Sequence, residues 1–189
     1  ATVWCLEPER YWLFTGRRAD FDWISQWQSA GEPMLARLSG QFAILALQGP
    51  RCFGLIQERP SYFGFTQARV EGAQAWVARL GYSGELGVEI LVPSQAGAAL
   101  WGRLRDKGAR ECCFEAANSL RIESGYILFA NELPAMPDPF ELGLERLLTG
   151  RGFIGAEALR KKRFAGLRRK LVGLVPTGSV PIGSVRRPG

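Results

Sequence analysis

Glu89 is the residue whose type and setting most invite chemistry. It stands within Gly87-Val88-Glu89-Ile90-Leu91-Val92-Pro93, an apolar run that reads as a strand and follows a turn punctuated by Gly81, Gly84 and Gly87. Successive strand side chains point to opposite faces, so Glu89 and Leu91 lie opposite Val88, Ile90 and Val92. A carboxylate so placed is expected to face a cavity. The residues alone also allow an exposed strand glutamate or one paired with Arg79 or Arg69. Histidine is absent from the 189 residues. Ser-His-Asp and Cys-His catalysis are therefore excluded, leaving carboxylates, tyrosines, lysines or the substrate's own groups to move protons. Cys5, Cys52, Cys112 and Cys113 lack C-x-x-C spacing, so no zinc site of ordinary type is expected and no metal ligand is assigned. They read as reduced thiols of a cytoplasmic protein.

Charge is unevenly placed. Residues 1–149 hold 14 basic and 17 acidic side chains, whereas residues 150–189 hold 10 basic side chains and one acid, Glu157. Arg160, Lys161, Lys162 and Arg163, then Arg168, Arg169 and Lys170, can attract phosphate, a polyanionic ligand tail or an acidic partner protein. A solvated helix face with a charge-protected strand edge is the alternative. Phe164 is the one aromatic residue among these bases, a poor stacking platform, so nucleic acid is not the expected partner. No apolar run approaches the roughly 20 residues of a membrane helix, and no signal peptide is evident.

The elements that must position Glu89 follow a mixed α and β order. "TVWCL" and "YWLF" around Glu7-Pro8-Glu9-Arg10 read as a hairpin. Asp20 is placed as the N-cap of a helix with Phe21, Ile24 and Trp27 on one face and Trp23 beside Trp27. "FAILAL" is a short strand ended by Gln48-Gly49-Pro50, and Glu71-Gly72 joins "YFGFTQARV" to "AQAWVARL" as a second hairpin. Ser94 is the expected cap of a helix through Leu100, Trp101 and Leu104, stopped by Gly108. "FEAANSLRIESGY" has helical spacing, and "DPFELGLERLLTG" reads as a helix capped by Asp138 and Glu141, with Pro139 at its first position and a Phe140, Leu144, Leu147, Leu148 stripe. A short helix "GAEALRKKR", a strand "RKLVGLVP" and a Pro/Gly-rich linker complete the chain.

Four blocks, "LALQGP", "GYSGELGVEILVP", "NSLRIESGY" and "GFIGAEAL", taken in this order and spacing, resemble the T protein of the glycine cleavage system and its folate-binding relatives. The resemblance implies an α+β fold: a folate-binding, aminomethyltransferase-like core of antiparallel sheets with packed helices over 1–175, and 176–189 as a linker or the start of a C-terminal barrel domain. It implies tetrahydrofolate, or a one-carbon derivative of it, as cofactor, and transfer of an aminomethyl group from a lipoyl-carrying protein, the acidic partner expected at the basic C-terminal region. Glu89 matches the glutamate that holds the pterin ring. Tyr82 and Tyr126 fall where the family places tyrosines against the folate, though either also suits a core. Asn118 stands where the family has an arginine that meets the glutamyl tail, and Arg121 matches an arginine of the family's helix motif, for which an ion pair with Glu123, Glu141 or another acid is the competing role.

The departures bear on catalysis. The family's catalytic aspartate precedes the strand that "TVWCL" resembles, so no carboxylate here is assigned that role and the catalytic residue is left unknown. Thr15 and Arg18 stand near positions where the family has asparagines, and Arg146 stands where an aromatic residue covers the folate. Arg17, Arg18 or the cationic C-terminal region is available to compensate for Asn118. The expectation is therefore part of a longer aminomethyltransferase, inactive by itself. The rivals are a non-catalytic folate-binding module of the iron–sulfur maintenance type, whose cysteine motif "GFIGAEAL" lacks, and a basic interaction domain.

Overall fold

A computed structural model of the chain describes residues 1–28, 34–132, 137–150, 152–175 and 177–178. It divides into two compact units, Ala1–Tyr126 and Ile127–Gly189. The fold is α+β with antiparallel sheets.

In the first unit β1 (Thr2–Glu7) and β2 (Arg10–Phe14) form a two-stranded hairpin, and β3 (Phe42–Gln48), β4 (Phe65–Val70), β5 (Ala73–Ala78) and β6 (Gly87–Pro93) form a four-stranded sheet in the order β3-β6-β5-β4. The β4–β5 turn forms at Glu71-Gly72, both with positive φ (48° and 80°), as the primed turns of tight hairpins require. β6 is central, and both of its faces are buried. One face carries Val88, Ile90 and Val92 into a core with Leu45, Leu47 and Val77, closed by Leu100 and Leu104 of helix α2 (Ser94–Asp106). The other carries Leu91, beside Ala78 of β5, against Trp4 of the hairpin, with Trp12, Phe14, Phe65 and Trp76 packed around them. The Trp4 and Phe65 rings stack at 4.9 Å. The aromatic residues that make the hairpin β-prone thus also fasten it to the sheet.

Several capping and helix expectations are corrected. Helix α1 (Ala19–Ser25) has Arg18, not Asp20, at its N-cap; Asp20 lies in the first turn and pairs with Arg17 at 2.7 Å. Trp27 falls beyond the helix end, although its ring still meets Trp23 at 5.9 Å. Pro93 occupies the N-cap of α2 and Ser94 is its first helical residue. Helix α3 (Phe114–Glu123) forms where its spacing indicates.

The second unit holds α4 (Phe129–Glu132) and α5 (Ala156–Ala165). The expected helix from Asp138 to Gly150 does not form. Its capping box does: Asp138 Oδ1 accepts from the Phe140 and Glu141 amides at 2.9 and 3.0 Å, and Glu141 Oε2 accepts from the Asp138 amide at 3.0 Å. Gly143 then adopts φ +69°, and Leu144 and Gly143 donate back to the Pro139 and Phe140 carbonyls. These are the paired hydrogen bonds of a glycine helix stop, so the chain makes a single turn and no helix follows from it. A short 3-10 turn, Glu145–Leu147, follows. The expected strand from Arg169 is also absent: residues 169–175 are irregular, Leu171 N–H bonds to Glu141 O, and Leu174 and Val175 are exposed. A strand needs a neighbour as well as a sequence, and among the described residues this segment has none. The Pro/Gly-rich linker lies almost wholly outside the described residues.

Candidate functional site

The strand register places Glu89 at the centre of a small grid on one sheet face. Across from it stand Ala46 on β3 and Ala78 on β5; toward one end lie Gln48 and Gly87, and toward the other Ile44, Leu91 and Trp76. Bulky side chains therefore fill one end of this face while the two positions flanking the carboxylate carry only methyl groups. Ala78 is fully buried and Ala46 is exposed. Glu89 is half-buried, and among the described residues its carboxylate has no hydrogen-bond or ion-pair partner, neither Arg79 nor Arg69 included. Burial raises its pKa above the ordinary carboxylate value, because the charged form has lost water without gaining a donor.

The loop between β5 and β6 is fastened at the Gln48 end of the same grid. Gln48 Nε2 donates to the carbonyls of Leu80 (3.3 Å) and Val88 (3.1 Å), and its Oε1 accepts from Ser83 Oγ at 2.9 Å. A Cβ on Gly87 would stand 2.6 Å from the Leu47 carbonyl, so this position accepts glycine alone without backbone movement. Ser124, at the C-cap of α3, donates its Oγ–H to the Ser83 carbonyl at 3.2 Å. Sequence reasoning missed Gln48, Ser83 and Ser124; the available signal was a polar residue at the end of an apolar strand facing a glycine-punctuated turn.

The loop and the residues after α3 bring the two tyrosines together. The Tyr82 and Tyr126 rings stack with centroids 5.7 Å apart and 22° between planes, each still about 40 % exposed (42 % and 38 %). Neither is ordinary core. Tyr126 also lines a cleft of about 240 Å³ with Tyr62, Arg79, Gly81, Gly84 and Gly87. Glu89 does not line this cleft, but Gly87 does, and Gly87 and Glu89 share one face of β6 about 7 Å apart. The volume is below the roughly 300–1,000 Å³ typical of ligand clefts.

Asn118 and Arg121 have a different relation to the site. Arg121 is 3 % exposed; its Nε donates to Asn118 Oδ1 and its Nη1 to the Tyr126 carbonyl, both at 2.9 Å. The pair clamps the end of α3 to the backbone of Tyr126 and so acts on the site through that tyrosine. Among the described residues no three His, Cys, Asp or Glu side chains are grouped to hold a metal ion. No helix among them is long and apolar enough to cross a membrane.

In the second unit Lys161, Lys162 and Arg169 of the basic run pair with Glu157 (2.9 Å), Asp138 (3.4 Å) and Glu141 (2.8 Å). Arg160, Arg163, Arg168 and Lys170 have no ion pair among the described residues.

Comparison with known proteins gives a consistent set of relatives. The family model described as GCVT N-terminal domain matches residues 1–150. An aminomethyltransferase of Herpetosiphon aurantiacus is 35% identical over 168 residues, covering 84% of this chain and 46% of the relative. Those of Rubrobacter xylanophilus (37% over 143 residues; 70% and 38%) and Halothermothrix orenii (30% over 187 residues; 90% and 52%) are similar in the same way. The chain thus spans about half the length of the curated relatives it matches.

Proposed function

The chain belongs to the GCVT N-terminal domain family, and from that premise we propose that it is the folate-binding part of a tetrahydrofolate-dependent aminomethyltransferase acting on a lipoyl-carrier protein. The single observation that carries the reading is Glu89: a half-buried carboxylate with no partner among the described residues, flanked on its sheet face by two alanines. An unpartnered carboxylate acceptor suits a reduced pterin. A flat ring edge with adjacent N–H groups complements one carboxylate through paired charge-assisted bonds, and the Tyr82–Tyr126 pair offers exposed ring faces.

When bound, tetrahydrofolate supplies the ring nitrogen that accepts the one-carbon unit. The chain's own residues bind and orient. Glu89 would take the ring's N–H donors, each such bond contributing on the order of 1.5–3 kcal/mol. Gln48, Ser83 and Ser124 would hold the loop that carries Tyr82, and the Arg121–Asn118 clamp would hold Tyr126. Orientation of this kind turns a chance encounter into a repeated near-attack geometry. No residue here is assigned proton transfer or stabilisation of developing charge. The unpaired bases Arg160, Arg163, Arg168 and Lys170 support docking of an acidic carrier, and four free cysteines agree with a reducing, cytoplasmic setting.

Calorimetric titration with 5-formyl-tetrahydrofolate tests the pocket: the wild-type chain should bind and Glu89→Gln should bind at least tenfold more weakly. Equal affinities would remove Glu89 from the site. Ammonia release from an aminomethyl-lipoyl carrier, assayed with the whole protein, tests the transfer itself.

A further inference from the structure

We infer that Ala46 is the specificity-determining floor of the site: the pterin ring lies across β3 at Ala46, and the smallness of that side chain is what admits it. The inference rests on the folate reading above and specifies where the ring sits.

The register leaves little choice. Glu89 has two cross-strand neighbours on its own face, Ala78 and Ala46. Ala78 has no accessible surface, so nothing can lie over it. The Leu91 end is closed by the Trp4 cluster with Trp76, and at the Gln48 end the side-chain amide is held by three hydrogen bonds. What is left open beside the carboxylate is the exposed methyl of Ala46. β3 is an edge strand of the sheet, and among the described residues no further strand pairs with it on this side.

A flat ring whose N–H edge meets Glu89 would therefore rest its face about 3.5–4.0 Å above the Ala46 methyl, at ordinary van der Waals distance. Side chains directly opposite in an antiparallel pair have their Cβ atoms about 4.5–5.5 Å apart. A leucine at position 46 would project its branched end into the space the ring needs. Ile44, two residues along the same strand face and opposite Leu91 rather than Glu89, already shows a large side chain tolerated on this edge. Enlarging residue 46 should thus block the ligand and leave the fold intact, a separation that substitutions at the buried Ala78 cannot give.

The test compares Ala46→Leu, Ala46→Ser and Ile44→Val in the full chain, with thermal unfolding of each and titration with two probes, 5-formyl-tetrahydrofolate and a tetrahydropterin lacking the tail. Ala46→Leu is expected to lose both probes by about a hundredfold or more while its unfolding temperature stays at or above the wild-type value. Ala46→Ser and Ile44→Val should bind within about threefold of wild type. Wild-type affinity in Ala46→Leu would overturn the inference, as would an equal loss in Ala46→Ser and Ala46→Leu, since the effect would then not be steric. If the wild-type chain binds neither probe, the folate reading itself fails together with the inference; if it binds both and Ala46→Leu binds equally well, only the placement of the ring fails.

Discussion

Two acidic sites in this chain are built in opposite ways. At Asp138 and Glu141 every acid is occupied: Asp138 accepts two backbone amides and faces Lys162, and Glu141 accepts the Asp138 amide and the Arg169 guanidinium. The Glu141 amide foremost, then Lys162 and the Phe140 amide, hold Asp138 below the ordinary carboxylate value, and Arg169 does the same for Glu141. At Glu89 a carboxylate is half-buried with no such partner among the described residues, and burial pushes its pKa up. Partnered acids close a turn and hold structure. An acid taken from water and left without a donor destabilises the free protein, and such a placement makes physical sense where a ligand supplies the missing bonds.

The largest effect expected from breaking this contrast is at Glu89. Glu89→Gln keeps the shape and removes the charge, so affinity for a reduced folate should fall by about ten- to hundredfold. The unliganded variant should meanwhile unfold at a higher temperature than wild type, because a neutral amide tolerates the half-buried site better. Loss of both binding and stability would mean that the carboxylate is structural after all.

Gly87→Ala sharpens the contrast from the backbone side. The added methyl would stand 2.6 Å from the Leu47 carbonyl and against the Gln48 amide, so a destabilisation of about 1–3 kcal/mol is expected in urea unfolding. Tyr82 is carried by the same loop, and ligand affinity should fall with it.

Lowering the pH should move the two regions in opposite directions. Glu89 has a raised folded-state pKa, so the native state binds its proton first; its contribution to stability improves as pH falls through that value and is complete below the unfolded value near 4. Asp138 and Glu141 have lowered values, so their stabilisation is present above the unfolded values and is lost as pH falls through the folded ones. Amide hydrogen exchange between pH 7 and pH 3 should show protection at Phe140 and Glu141 declining while that of β6 does not decline in parallel. The smallest effect is expected for Asp138→Ala, which should expose the Phe140 and Glu141 amides to exchange and leave folate affinity unchanged.

How far the chain's arrangement is legible in sequence depends on the range of the interactions. Both hairpins and α3 follow from local period and turn chemistry, and Glu71-Gly72 marks its turn unaided. The turn at Asp138 has the cap of a helix and the apolar stripe of one, yet Gly143 reads as an interior glycine until its positive φ is seen. Residues 169–175 have strand composition, but a strand is a pairing and its partner is not written in the segment. Period two gives the face of Glu89, whereas the two alanines beside it come from strands about 40 and 10 residues away and need the register. Asn118 and Arg121 are three apart on one helix, so their contact is local, but that Arg121 is buried and spends itself on Tyr126 is not.

The central claim is that Glu89 waits for donors, and its carboxyl titration is the direct measure. With glutamate labelled at the side-chain carboxyl and Glu89 assigned by comparison with Glu89→Gln, the free chain should show this group titrating above the ordinary glutamate value, and saturating 5-formyl-tetrahydrofolate should bring it down as N–H groups come to favour the charged form. A normal or depressed value in the free chain, or a raised one that saturating ligand leaves unmoved, would contradict it.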